Sequence, residues 1–216
     1  MRFAVLIYDD VEPIDLGATF GVLSMARRIA PDIETVALAR SLDPVVCANG
    51  LKAVPDEDYN SFSGADVLIV TGGPGWMRVA KDPETLEFLK KVSDEVKLVA
   101  ICTGAMILAA AGLLDGCEAT TKVEIAGTEI PPLDILEKDY ASITVRPAVA
   151  VSSNGRLTSG GGSLGIDGVF YLLAQTHGAH VARDVARIME YSRALKANAA
   201  FAPPVGFTKD VLEIAQ

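Results

Sequence analysis

The most constraining feature of the sequence is the uncharged run from Leu98 to Leu114, 17 residues long. A membrane helix needs about 20 apolar residues, and this run is shorter and interrupted by Cys102, Thr103 and Gly104. β-Branched Val99 and Ile101 come before an Ala-rich half, so the pattern predicts a buried strand over Leu98 to Ile101 turning into a buried helix from about Thr103 to Ala111, ended by Gly112. A strand and a helix that are both apolar on every side need cover all round. Layers of helix on a sheet supply it.

The rest of the chain repeats the alternation. Phe3 to Tyr8 reads as a strand, and Leu16, Phe20 and Leu23 fall at helical spacing within a helix from Ile14 to Ile29. Ile33 to Ala39 is a second strand. Pro44 to Ala48 and Leu51 to Val54 flank Asn49-Gly50, a strong hairpin signal. Val67 to Val70 ends in Thr71-Gly72-Gly73-Pro74-Gly75, and a helix follows from about Pro83 to Val92. Beyond Gly116 the pattern is less regular, with a strand over Ala119 to Thr121, a helix fragment over Ile135 to Lys138 and strand character from Ile143 to Val151. Leu157 to Ser159 precedes Gly160-Gly161-Gly162, which opens a long helix to His177, and a final helix spans about Ala179 to Lys196. The segment from Phe201 to Phe207 reads as extended across the surface. The expected fold class is α/β, a doubly wound, mostly parallel sheet with helices on both faces. Ligands then belong at the carboxyl ends of the strands.

Composition narrows the partners. A chain of 216 residues suits one core, and a net charge of −9 with an isoelectric point near 4.7 argues against nucleic acid and anionic membranes. Acids at Asp9, Asp10 and Glu12 follow the amino terminus closely, leaving no signal-peptide pattern. The three cysteines, Cys47, Cys102 and Cys117, are odd in number and unrelated in spacing, which fits reduced thiols. A cytoplasmic protein is expected.

Cys102 is the sharpest chemical candidate. Ala100-Ile101-Cys102-Thr103-Gly104 places a thiol between strand and helix with small neighbours, like a nucleophile elbow, and the helix amides beyond it predict a lowered thiol pKa. The competing reading is a buried core cysteine. Asp15, at the start of the first helix, either faces the same strand ends or serves as a cap. Gly72 and Gly73 are positioned to offer backbone N–H groups, or simply to make a tight turn. Gly160, Gly162 and Gly165 fit G-x-G-x-x-G, but no strand follows the helix to carry a ribose-binding acid, so close helix packing is the better account. His177 and His180 lack further metal ligands nearby and suit a helix terminus.

Together, Ile14-Asp15-Leu16, Val70-Thr71-Gly72-Gly73, Ile101-Cys102-Thr103-Gly104-Ala105, Ala110 to Gly116, Ala119-Thr120-Thr121 and Thr158 to Asp167 resemble the ThiJ/PfpI superfamily, with its flavodoxin-like, class I glutamine amidotransferase-like fold. The resemblance implies one domain over residues 1–200 with a tail over 201–216, a Cys102 nucleophile with Asp15 beside it, and a homodimer. Peptidase-like members carry a histidine directly after the cysteine, whereas Thr103 stands here, and Cys-Thr resembles the isonitrile hydratases. Their pattern has His-Trp where this chain has Lys122-Val123, and an aliphatic residue at Ser163. The implied activity converts an isonitrile to an N-substituted formamide through a Cys102 thioimidate, without metal or cofactor. Cys102, Asp15 and Thr103 would be catalytic, and Gly72, Gly73, Gly104, Thr121, Lys122 and Ser163 would bind the small-molecule substrate or its oxyanion. Activity on 2-oxoaldehydes and a thiol or ligand sensor are the alternatives.

Overall fold

The computed structural model describes residues 1–215. β1 (Arg2–Leu6) leads into α1 (Pro13–Leu16), a π-helical turn at Gly17–Gly21 and α2 (Val22–Ala26), close to the span that helical spacing predicts. β2 (Glu34–Ala39) follows, and then a hairpin of β3 (Val45–Val46) and β4 (Lys52–Ala53), whose turn places Asn49 at φ 62°. β5 (Glu57–Asp58), which the sequence does not signal, comes before β6 (Val67–Val70) and the short α3 (Trp76–Val79). α4 (Pro83–Val92) starts at Pro83 as expected, with the Asp82 carboxylate accepting the Thr85 N–H. β7 (Lys97–Ile101), from Leu98 onward, and α5 (Gly104–Ala110) lie in the uncharged run, and every residue of α5 from Gly104 to Ala109 is buried.

After the short β8 (Glu118–Ala119) come α6 (Pro132–Asp139), β9 (Thr144–Val145), β10 (Ala150–Ser153) and β11 (Arg156–Ser159), then α7 (Leu164–His177), α8 (Ala179–Ile188), α9 (Ser192–Phe201) and α10 (Lys209–Leu212). A seven-stranded sheet runs in the order β10-β11-β7-β6-β1-β2-β5, parallel except where β10 meets β11. Its central strands β6 and β7 are apolar without alternation because helices cover both faces. α2, α7 and α8 pack together as one helix group, and α3, α4, α5 and α6 as the other. Among the described residues, no helix is long and apolar enough to cross a membrane.

One expectation is corrected near the end of the chain. The helix expected from Ala179 to Lys196 breaks at Glu190, which takes φ 56°. Its N–H donates to Arg187 O at 3.1 Å and the Tyr191 N–H to Ala186 O at 2.8 Å, the Schellman arrangement that normally uses glycine. The segment from Ala202 to Val205 runs extended, as the sequence suggests. Val149 N–H donates to Ala202 O, and Val205 exchanges backbone hydrogen bonds with Ala150 and Ser152 alongside β10. α10 and the 3-10 turn after it (Glu213–Ala215) then fold back and bury Val211 and Ile214 in the same core as β1 and α7.

Candidate active site

Parallel pairing brings the ends of β1, β6, β7 and β11 to one edge of the sheet, and the candidate residues meet there. Cys102 directly follows β7 and takes φ 57°, a left-handed conformation that is costly for a residue with a Cβ. Several contacts hold it in place. Its N–H is shared between Ser159 O and Gly160 O, both at 3.2 Å, and its carbonyl accepts the buried Thr121 hydroxyl at 2.8 Å. Gly161 lies so close to the sulfur that a methyl group there would collide with it. Gly165 presses on Ile101 and Gly160 on Leu164, so these two glycines serve close packing, whereas Gly162 has open space around it and takes φ 60°.

Asp15 is fully buried and no cap. Glu12 occupies the N-cap position of α1, while Asp15 Oδ2 accepts the Gly72 N–H at 3.0 Å. The carboxyl group also interacts with the Cys102 thiol and the Gly162 N–H. Burial pushes Asp15 up to about 6, against the Gly72 and Cys102 hydrogen bonds that pull it down. The expected low thiol pKa is not found. Burial, and then the neighbouring Asp15, push Cys102 up to about 12, although the Thr103 N–H and the Lys122 charge oppose them. Local sequence displays the helix start but not the burial or the carboxylate brought in from α1, and these outweigh a seven-residue helix. The first charge on the pair therefore rests on Asp15, placing a base beside a thiol.

The glycine turn after β6 also differs from expectation. With the Gly72 N–H donated to Asp15 and the Gly73 N–H donated to Thr103 Oγ1 at 3.0 Å, neither is free for an oxyanion. They fix Asp15 and Thr103 in place instead. Gly104, first residue of α5, packs against the Val70 carbonyl so tightly that a side chain would not fit. Thr121 touches the Cys102 backbone and does not line the cavity, and Ser163 is exposed at the start of α7 and also lies outside it. Sequence-based placement of those two in substrate contact is thus corrected.

A cavity of about 800 Å³ opens above Cys102 and Thr103. Its walls are largely apolar, from Ile14, Trp76, Met77, Ile125, Ile130 and Ile135, with Lys122, Glu12, Glu124 and Glu129 supplying charge. The residues from α3 and from the stretch 123–131 were missed in the sequence. That stretch has no periodic signal, and only Lys122 beside it drew attention. Cys47 and Cys117 are buried elsewhere. His177, expected at an exposed helix end, has a largely buried ring stacked on Phe3 at 6.1 Å with Nε2 3.5 Å from Asp32. Among the described residues no three His, Cys, Asp or Glu side chains gather as metal ligands.

Comparison with known proteins agrees with the fold. An isonitrile hydratase from Pseudomonas putida is 30% identical over 195 residues, 90% of this chain and 80% of that protein. The HTH-type transcriptional regulator CdhR of Pseudomonas aeruginosa is 33% identical over 143 residues, 66% of this chain but 40% of the regulator. A ThiJ/PfpI family protein from Pseudomonas syringae has a crystal structure that matches with a TM-score of 0.75 at 27% identity, covering 88% of this chain and 74% of that one. The model of the DJ-1/PfpI family matches residues 1–162, and the chain belongs to that family.

Proposed function

We propose that the protein is a cysteine-dependent hydratase of small electrophiles, and that its substrates are isonitriles, which it converts to N-substituted formamides. The observation that carries this is the buried Asp15–Cys102 pair beneath a mainly apolar cavity, with Thr103 in place of a histidine. The likeness to an isonitrile hydratase supports it. A thiol whose pKa is raised is a weak nucleophile alone, so it depends on an adjacent base. Asp15 takes the Cys102 proton as sulfur attacks the terminal carbon, and returns it to that carbon, giving the thioimidate S–CH=N–R. Water then adds across the C=N bond, its oxygen to carbon and a proton to nitrogen by way of Asp15. The C–S bond breaks with its electron pair leaving on sulfur, the hydroxyl proton returns to the thiolate, and the formamide departs. No cofactor enters the sequence. Thr103, held by Gly73, orients the ligand beside the sulfur.

The test is formamide production from benzyl isocyanide, followed by proton NMR, with Cys102→Ala as reference. Formamide that depends on Cys102 supports the reading. No turnover, with methylglyoxal consumed instead, replaces it by glyoxalase-like chemistry. The regulator match favours a second reading, a ligand or thiol sensor. Inertness toward both substrates, with a regulatory protein co-purifying, would establish that one. The protein is further proposed to be cytoplasmic, in line with its three unbridged cysteines, and a homodimer. Light scattering that returns the monomer mass of 22.7 kDa would overturn the dimer.

A further inference from the structure

We propose that the cavity over Cys102 sorts and orients its ligands by charge. Lys122 near the sulfur draws in the electron-rich end of a dipolar molecule, and Glu124 and Glu129 at the mouth turn away anionic tails. The ligand class is a bulky apolar molecule, neutral or cationic at its far end, with an electron-rich terminus. This goes beyond the proposed hydratase activity and rests on only one part of it, Cys102 as the reactive thiol.

The layout follows from three placements. Lys122 and Cys102 converge on Gly161, where an added methyl group would strike the sulfur and lie 3.2 Å from Lys122 Cβ. Lys122 is half-buried, and among the described residues it forms no ion pair. Its charge favours the thiolate. An ammonium on the wall of a largely apolar cavity, with its carboxylates beyond ion-pair distance, is best satisfied by negative charge arriving with the ligand or forming on the sulfur. Glu124 and Glu129 sit in the exposed stretch beyond it and line the same cavity, with Glu12 as a third carboxylate on the wall. An isonitrile carries formal negative charge on its terminal carbon and positive charge on nitrogen, so this field presents the carbon to Cys102 and leaves the substituent among Ile125, Ile130 and Ile135.

The test requires no turnover. Methanethiosulfonate reagents bearing a trimethylammonium, no charge or a sulfonate react with Cys102, and mass spectrometry of the Cys102 peptide gives each rate at low ionic strength. In a solvated cavity mouth each carboxylate changes the approach of a unit charge by about twofold. The cation-to-anion rate ratio should therefore fall about fifteenfold in the double variant Glu124→Gln/Glu129→Gln. Glu87→Gln/Glu95→Gln, outside the cavity and equal in net charge, should change it by less than about twofold. Lys122→Met should slow the neutral reagent at least about threefold at pH 8, because the thiolate loses its nearby cation. Equal ratios in the two glutamine variants would overturn the role of the mouth, and an unchanged neutral rate in Lys122→Met would overturn that of Lys122. Charge-dependent rates without isonitrile turnover would leave this inference standing and remove the hydratase activity. Turnover with equal ratios would do the reverse.

Discussion

Asp15 and Asp167 are both fully buried, and burial pushes each of them up to about 6. Their surroundings separate them. Asp167 Oδ2 accepts the Tyr191 hydroxyl at 2.8 Å and the Asn198 amide at 3.0 Å, tying α7 to α9 away from the cavity. Asp15 has one backbone donor on Oδ2 and faces a thiol at the cavity floor, and in both residues Oδ1 lacks a conventional hydrogen bond. A raised carboxyl pKa therefore does not identify a functional group. What distinguishes Asp15 is a neighbour that can exchange a proton and a space where a ligand can sit.

The largest expected effect probes the neighbour. Cys102→Ala should cost about a thousandfold or more in isonitrile hydration, measured as kcat/KM, and a smaller loss would mean that Asp15 works without the sulfur. Asp15→Asn should lower kcat/KM by about a hundredfold while thermal stability stays within about 1 kcal/mol, since the amide still accepts from Gly72. Asp167→Asn in the same assays should leave kcat/KM per folded molecule within about twofold of the parent. Equal kinetic losses in the two asparagine variants would erase the distinction.

Much of this arrangement is legible in the sequence, in the places where local pattern and burial agree. The run Leu98–Leu114, the start of α4 and the hairpin at Asn49-Gly50 all reveal themselves through apolar continuity, a proline or a turn dipeptide. Glu190 does not, because a left-handed helix end built on glutamate shows no glycine. Asp15 is visible only as an acid in a first helical turn, since its burial comes from the turns after β6 and β7 and from α7. The acidity of Cys102 escapes a local reading for the same reason. Its dominant influences are burial and a group distant along the chain.

Smaller effects refine the contrast. Thr121→Val removes the hydroxyl bond to the Cys102 carbonyl, and should lower kcat by about threefold to tenfold with a stability loss of about 1 kcal/mol. A loss in stability alone would show that the elbow holds its shape without that bond. Acid titration gives the last comparison. Asp167 titrates at about 6 in the folded chain and near 3.8 when unfolded, so the folded state holds its proton more tightly. Its stabilising contribution is complete below the lower value and disappears as pH rises through about 6. The melting temperature of the parent should therefore fall relative to Asp167→Asn between pH 4 and 7 and then level off. A difference that stays constant would mean that the Tyr191 and Asn198 hydrogen bonds, which favour the charged form, offset the burial of this carboxyl group.

The pairing of residues 202–205 along β10 has a consequence for how copies of this chain can meet. An unpaired strand at a sheet margin is a template on which another chain can add its own strand. On this side the chain has already supplied that strand from its own end, and on the other the margin is the two-residue β5. Neither side offers a long open ladder. Truncation before Ala202 would therefore expose a β10 backbone edge that residues 202–205 keep covered.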